Sequence, residues 1–496
     1  MASLSVTALR TIFENICANY PSVRVPFERS DPRHVLSLVC LEWRTIIFCD
    51  MPSLWANIGF TGGPDPQFNQ EPQSLLRQFA LCVDRSAQRP LSIFLEMIYD
   101  GWQFSIVDSV VIPQIRRIKS LTTPIYSDAE IFKFLTIPQG EFLILESLEL
   151  CLINTLERPA SSFAPLQSLH FSTLRSIPLL RRAMIYILNG MRPNELNLPL
   201  SQLVSISLAG ATILPSELIH ILRSASQLEQ AFFYIGFTMP SHRHEALAIG
   251  AVEMRKLRTL RLRLLFPNRD KRLFSLLRFP VLRHLWIDIY GDFQHWHIPI
   301  YTRLIKASTN SLRELRLTDF NYHNPGELDD DVDEVGLERR YSEIPPHSIE
   351  ALFEVIRNVE SLFLPVGILL HASTLNKIAS CALLPYLEEI EVGALSAWPI
   401  LSMIRYRRTR AVMSASLGAS HASDVLLPAP DDKPLAEFKY IYILIPFQGL
   451  TVAEEDALAE EMEDLESLGI VCRILATPIL PLPSMPAVSP LPPISN

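Results

Sequence analysis

Glycine is scarce. Only 17 of 496 residues are glycine, and the chain contains no G-x-S-x-G, phosphate-binding glycine loop or H-E-x-x-H, so backbone cradles for nucleotides and the common hydrolase and metalloprotease signatures are excluded. Seven cysteines, at positions 17, 40, 49, 82, 151, 381 and 472, form no C-x-x-C pair, which argues for free thiols in a reducing compartment. Positive charge is in deficit: 44 Lys and Arg against 53 Asp and Glu leave a formal charge of -9, with no electrostatic footprint for nucleic acid over the whole chain. A basic leader ahead of an unbroken apolar run is missing, and the one long uncharged stretch, Ile474 to Ile494, is broken by prolines that a membrane helix does not tolerate. A cytoplasmic or nuclear protein is expected, with no membrane and no nucleic acid among its partners. The H-x-H pairs His242/His244 and His295/His297 suggest no third ligand, so they read as loop or rim residues, with no metal and no cofactor.

What the chain does have is apolar residues at 48% and a positive mean hydropathy of +0.20, over a length too great for one ordinary core. Repeats are therefore the first thing to seek. The pattern L-x-x-L-x-L, with conservative replacements, begins at Leu145, Leu166, Leu203, Leu228, Leu257, Leu282, Leu312, Val359 and Leu387. Looser versions begin at Ile115 and Phe438, and Val471 to Leu475 has the pattern of a closing strand. Within each triplet the last two apolar positions stand two apart, the strand period, so both face a core and the residue between them faces the other way. Glu149, His170, Ser207, Arg261, Trp286, Arg316, Phe363 and Glu391 occupy that outward position. Arginine and aromatic residues dominate binding energy at interfaces, which marks Arg261, Trp286, Arg316 and Phe363 as the candidate partner-binding line.

Between triplets the text is helical: LPSELIHILRSASQ with Ser216 as N-cap, PIYTRLIKASTN, SIEALFEVIRN and TLNKIASCALL each carry a one-sided apolar stripe. Strand, turn and helix in repetition predict an α/β solenoid of parallel strands backed by helices over 111–475. Residues 61–110 read as a linker and the start of that solenoid. The acidic text near 321–346 and the small, polar text of 411–434 read as loop insertions, Gly469 as a helix C-cap, and the proline-rich 476–496 as a disordered tail. The basic runs LRTLRLRLLFPNRDKRLF and MIRYRRTR read as ordinary solvated positions.

The first 60 residues differ. Leu9, Ile12, Phe13 and Ile16 lie on one amphipathic helix. Asp31 and Pro32 form a helix start, followed by a narrow continuous face of Leu36, Val39, Cys40, Trp43 and Ile47. Pro52 then opens a further turn whose Leu54 and Trp55 fold back on that face. So small a three-helix bundle buries little and wants a partner.

The run LVCLEWRTIIFCDMPSLWANI resembles the second half of the F-box motif of fungal F-box-like proteins, in which V-C-x-x-W-R is followed by P-x-L-W; the matching residues are Val39, Cys40, Trp43, Arg44, Pro52, Leu54 and Trp55. LCVDRSAQRPLSIFLEM and LSMIRYRRTR resemble segments that such proteins carry before and after their leucine-rich units. The chain departs from the family in its opening, where Ser5, Val6, Thr7 and Ala8 replace Leu-Pro-x-Glu, in the long connection over 18–31, and in the missing asparagine after each triplet. An irregular leucine-rich horseshoe is expected. The resemblance implies a non-catalytic substrate-recognition subunit of a cullin ubiquitin ligase. A Skp-type adaptor would dock on Leu9, Ile12, Phe13, Leu36, Val39, Cys40, Trp43, Pro52, Leu54 and Trp55, and the repeats would bind the protein to be modified. The alternative is a leucine-rich interaction scaffold whose N-terminal helices only cap the solenoid.

Overall fold

The computed structural model describes residues 5–60, 72–95, 105, 107–125, 128–152, 173–186, 192–237, 250–265, 272–290, 296–319, 345–365, 368–394, 396–420, 436–446 and 452–477. The triplet at Leu166 with His170, the histidines 242, 244 and 295, most of the acidic loop near 321–346 and the tail from 478 lie outside them. The protein is α/β, built on parallel sheet backed by helices, and divides into two compact units, Met1–Tyr234 and Ile235–Asn496.

In the first unit, strands β1 (Val23–Val25), β2 (Asn57–Phe60), β3 (Leu91–Leu95), β4 (Ile118–Ile125), β5 (Ser147–Leu152), β6 (Arg182–Tyr186) and β7 (Ser205–Ile213) pair in sequence order, every pair parallel. β8 (Gln230–Gly236) follows and lies across the division between the units. Parallel neighbours need a crossover. Among the crossovers are α4 (Pro72–Arg85) and α5 (Asp128–Leu135), while α6 (Pro215–Ser224) follows β7. Helix α6 starts one residue before the expected Ser216: Pro215 takes the first turn, and the Glu217 carboxylate accepts the Leu214 amide at 2.9 Å.

The second unit repeats the plan. β10 (Thr259–Leu265), β12 (His284–Tyr290), β13 (Glu314–Asp319), β14 (Ser361–Phe363), β15 (Glu389–Gly393), β16 (Tyr440–Pro446) and β17 (Val471–Thr477) pair in parallel, each with the next, and the short β9 (Val252–Glu253) and β11 (Leu277–Arg278) pair separately. β10 shows why the triplets make strands. Leu260, Leu262 and Leu264 are buried, while Thr259, Arg261 and Arg263 alternate on the open face. Each buried leucine contributes about 1.5–3 kcal/mol. Among the described residues the helices between these strands are α7 (Arg272–Leu276), α8 (Ile298–Ile305), α9 (Pro346–Val355), α10 (Ala372–Ala379), α11 (Trp398–Ser420) and α12 (Val452–Ser467).

Gly469, at φ +81°, ends α12 as expected. Its N–H reaches the Glu466 carbonyl at 2.8 Å and that of Ile470 reaches Leu465 at 3.0 Å, the paired bonds of a left-handed C-cap. One expected loop is corrected: α11 runs through to Ser420, ten residues into the 411–434 segment. Ala, Met and Leu are strong helix formers, and no proline intervenes until Pro428, so the helix does not stop where polarity rises.

Two buried arginines fasten what the sheets leave loose. In the first unit Arg33, 2% exposed, pairs with Asp31 at 3.0 Å and donates to the carbonyls of Tyr20, Ser22 and Leu54. In the second, Arg407 on α11, 1% exposed, donates to the carbonyls of Ile378, Leu384, Pro385, Leu387 and Ala436. The sequence placed Arg407 in a solvated basic run; the structure puts it at the bottom of a cage of carbonyl dipoles, which stand in for a carboxylate.

Candidate functional site

Two surfaces carry the residue types that dominate protein interfaces. The first is the N-terminal segment. Its helix α1 (Val6–Ala18) begins at Ser5, whose hydroxyl accepts the Ala8 amide at 3.2 Å. The buried face of α1 is Leu9, Phe13 and Cys17, spaced by four; Ile12 and Ile16, expected on that face, are 39% and 41% exposed. Helix α2 (Pro32–Ser37) opens as expected, with the Asp31 carboxylate accepting the Arg33 amide at 2.8 Å.

The continuous face from Leu36 to Ile47 does not form. Helix α2 ends at Ser37, Cys40 is extended, α3 (Leu41–Thr45) begins afresh, and a wider π turn covers Ile46–Asp50. Leu36 and Ile47 stay buried, whereas Val39 and Cys40 turn outward. At the break the Arg44 Nε donates to the Ser37 carbonyl at 3.0 Å, satisfying one of the carbonyls left over where α2 ends.

Aromatic rings then tie the pieces together. Trp43 is half-buried and meets Phe13 edge-on, centroids 5.0 Å apart. Trp55, in the Pro52–Trp55 turn, is buried, donates its indole N–H to the Ile47 carbonyl at 2.9 Å, and meets Phe48 edge-on at 5.5 Å. Arg85 of α4 lies over both rings, 3.9 Å from Phe48 and 4.5 Å from Trp55. Leu9, Phe13, Leu36 and Trp55 therefore shape this segment from inside. Of the other expected docking residues, Trp43, Pro52 and Leu54 are half-buried, and Ile12, Val39 and Cys40 are exposed.

What reasoning from sequence missed is the outward apolar set. Val35, Leu38, Val39 and Leu41 are 48%, 62%, 57% and 75% exposed. Val35 lies on α2, and Leu38 and Val39 lie in the turn that follows it, so the exposed apolar residues are concentrated within seven positions. The signal was present in VLSLVCL: seven residues with six apolar exceed what a single buried face can use.

The second surface is the open face of the second unit. Register places Arg261 beside Trp286, Trp286 beside Arg316, Arg316 beside Phe363, and then Glu391, Tyr442 and Arg473 in the same row. The four expected partner-binding residues thus adjoin across four strands. Phe363 is only 5% exposed, and Arg316 covers it, its guanidinium 4.0 Å from the ring centroid and 5.7 Å from that of Trp286. In the adjoining row Asp288, 4% exposed, accepts from Arg261 at 2.9 Å and from the Thr318 hydroxyl, with Arg263 at 3.9 Å. The Trp286 indole N–H donates to Glu314 at 2.7 Å.

Among the described residues no cluster of His, Cys, Asp and Glu is arranged to hold a metal, and no helix is long and apolar enough to cross a membrane. The thiols differ by burial. Cys40 and Cys49 are exposed, whereas desolvation pushes Cys82 up from an ordinary 9.0 to about 12 and Cys472 to about 11. No protein-family model matches the chain, and no curated protein matches it.

Proposed function

We propose that the protein is a non-catalytic substrate-recognition subunit of a cullin ubiquitin ligase, its F-box-like N-terminal helices docking a Skp-type adaptor and its leucine-rich strand face holding the target protein. The observation that carries this reading is the outward apolar set Val35, Leu38, Val39 and Leu41, around the start of the run that resembles the F-box motif, with Val39 and Leu41 inside its V-C-x-x-W-R stretch. Apolar side chains exposed in such density within one short segment mark a protein contact. The supporting geometry lies beneath: Trp43 and Trp55 are anchored by Phe13, Ile47 and Arg85, so the segment is a firm platform.

One observation favours the alternative of a scaffold with a terminal cap. β1 and β2, inside the first 60 residues, are strands of the first unit's sheet and pair on to β3, so the helices between them are built into that unit's end, and solenoids need their ends covered. Capture of a Skp-type adaptor from solution by the full chain separates the two. The docking reading expects capture, lost in the L38E/L41E double variant with the melting temperature unchanged. Failure of the unaltered chain to bind the adaptor refutes docking and leaves the cap.

A further inference from the structure

We infer that the open face of the second unit takes a carboxylate side chain of a protein segment, and that Arg316 is the residue that receives it. This rests on the reading of that face as the target-binding surface. Two acidic groups beside Arg316 are already engaged. Asp288 is shared by Arg261, Arg263 and Thr318, and Glu314 is engaged by the Trp286 indole. Arg316 differs in its setting: its guanidinium is stacked on Phe363 and flanked by Trp286, while its Nε, like that of Arg263 beside Asp288, is buried without a hydrogen-bond partner among the described residues.

A guanidinium held half-buried between rings is costly to keep without a counter-charge, and a carboxylate meeting its outer Nη groups relieves that cost. Stacking holds the guanidinium plane fixed, so its donors present a preformed fork to a carboxylate, the geometry that arginine satisfies in pairs of parallel bonds. The two rings beside it supply the apolar contact that makes such a site discriminating. A polyanion fits poorly. Asp288, Glu314, Glu389 and Glu391 occupy the same face, so one localised negative charge is accommodated where a phosphate backbone would be repelled.

The test uses the full chain and libraries of short fluorescein-labelled peptides in which one position is fixed as Asp, Glu, Asn, Gln or phosphoserine and the rest are degenerate. Bound peptides are compared by enrichment. Asp and Glu are expected to be enriched over Asn and Gln by at least about tenfold, with the preference abolished in Arg316→Gln, reduced in Arg316→Lys, and kept in Arg116→Gln, which lies in the first unit. Melting curves confirm that the variants fold, and the lysine variant, which keeps the charge but loses the flat fork, serves if the glutamine variant does not. Equal binding of acid and amide libraries, an acid preference that survives Arg316→Gln, enrichment of phosphoserine alone, or displacement by a single-stranded DNA oligonucleotide in preference to acidic peptide would each overturn the inference. Adaptor capture is read on the same preparations: acid preference without capture overturns docking only, and capture without acid preference overturns only the Arg316 site.

Discussion

Replacing Arg407 by methionine keeps most of the side-chain volume and removes every donor, so it isolates what the carbonyl cage contributes. The guanidinium donates to Leu384 and Pro385 at 3.0 Å, to Ile378 and Leu387 at 3.3 Å and to Ala436 at 3.4 Å, and it lies 4.8 Å from the Phe438 centroid. The loop it grips holds two residues in left-handed backbone, Cys381 at φ 58° and Leu384 at φ 50°. Each such residue costs of order 1–2 kcal/mol where no glycine is present. Without the donors, the Ile378, Leu384 and Pro385 carbonyls still accept the amides of Cys381, Leu387 and Ala436, whereas those of Leu387 and Ala436 lose the guanidinium at about 1–3 kcal/mol each, partly offset by no longer burying a cation. The net expectation is a loss of about 3–5 kcal/mol. For a unit of this size, about 2–4 °C per kcal/mol implies a drop of roughly 6–20 °C in its melting temperature. Scanning calorimetry of the full chain checks the figure, and hydrogen exchange should show faster opening at the Leu383 and Leu387 amides. Arg407→Lys, one compact ammonium in place of a broad fork, should recover only part of the loss. A methionine variant melting within about 2 °C of the parent would refute the reasoning, because the left-handed loop would then be holding itself.

Phe13→Ala should destabilise the first unit by about 3–5 kcal/mol in denaturant titration, since the ring is fully buried against Trp43. Ile16→Ala on the exposed side should change stability by no more than about 0.5 kcal/mol. Ala87, exposed and at φ 48° just past the end of α4, should gain about 0.5–1 kcal/mol as Ala87→Gly, read as a raised midpoint. A thiol reagent at neutral pH should label Cys40 and Cys49 quickly and Cys17, Cys82 and Cys472 only on unfolding. The raised thiols also set an alkaline limit. Because Cys82 holds its proton to about 12 when folded but only to an ordinary 9.0 when unfolded, its contribution to stability is constant below pH 9 and is lost towards pH 12, and Cys82→Ala should lessen the alkaline fall in melts taken across that range.

The leucine triplets were legible because a two-residue period and a buried partner act on the same positions: every triplet among the described residues, from Leu148 and Leu150 to Ile390 and Val392, is a strand with those residues in the core. The row from Arg261 to Phe363 was legible for the same reason, since equal offsets within each triplet become equal register across strands. The N-terminal segment was less so. Period alone favoured Ile12 and Ile16 over Cys17, but which side of a short helix is buried depends on what meets it, here Trp43 against Phe13. Nor could spacing foresee the stop at Ser37, where Arg44 reaches back to one carbonyl. β1 to β3 carry no triplet, being short strands recognised only by their partners. Arg407 looked like its basic neighbours because a cage of main-chain oxygens leaves no trace in side-chain pattern.

Within each unit's main sheet each strand pairs with the strand of that sheet made before it, with only the short β9 and β11 interposed among the described residues, and this has a consequence for biosynthesis. As each unit leaves the ribosome, a new strand meets a completed template instead of waiting for a distant segment, so sheet can be laid down at the pace of translation with little loop-closure entropy to overcome. The arginine cage sets the exception. Arg407 draws carbonyls from residues on both sides of itself, the last at Ala436, so the second unit stays unlatched until that stretch has been synthesised, and then tightens in one step.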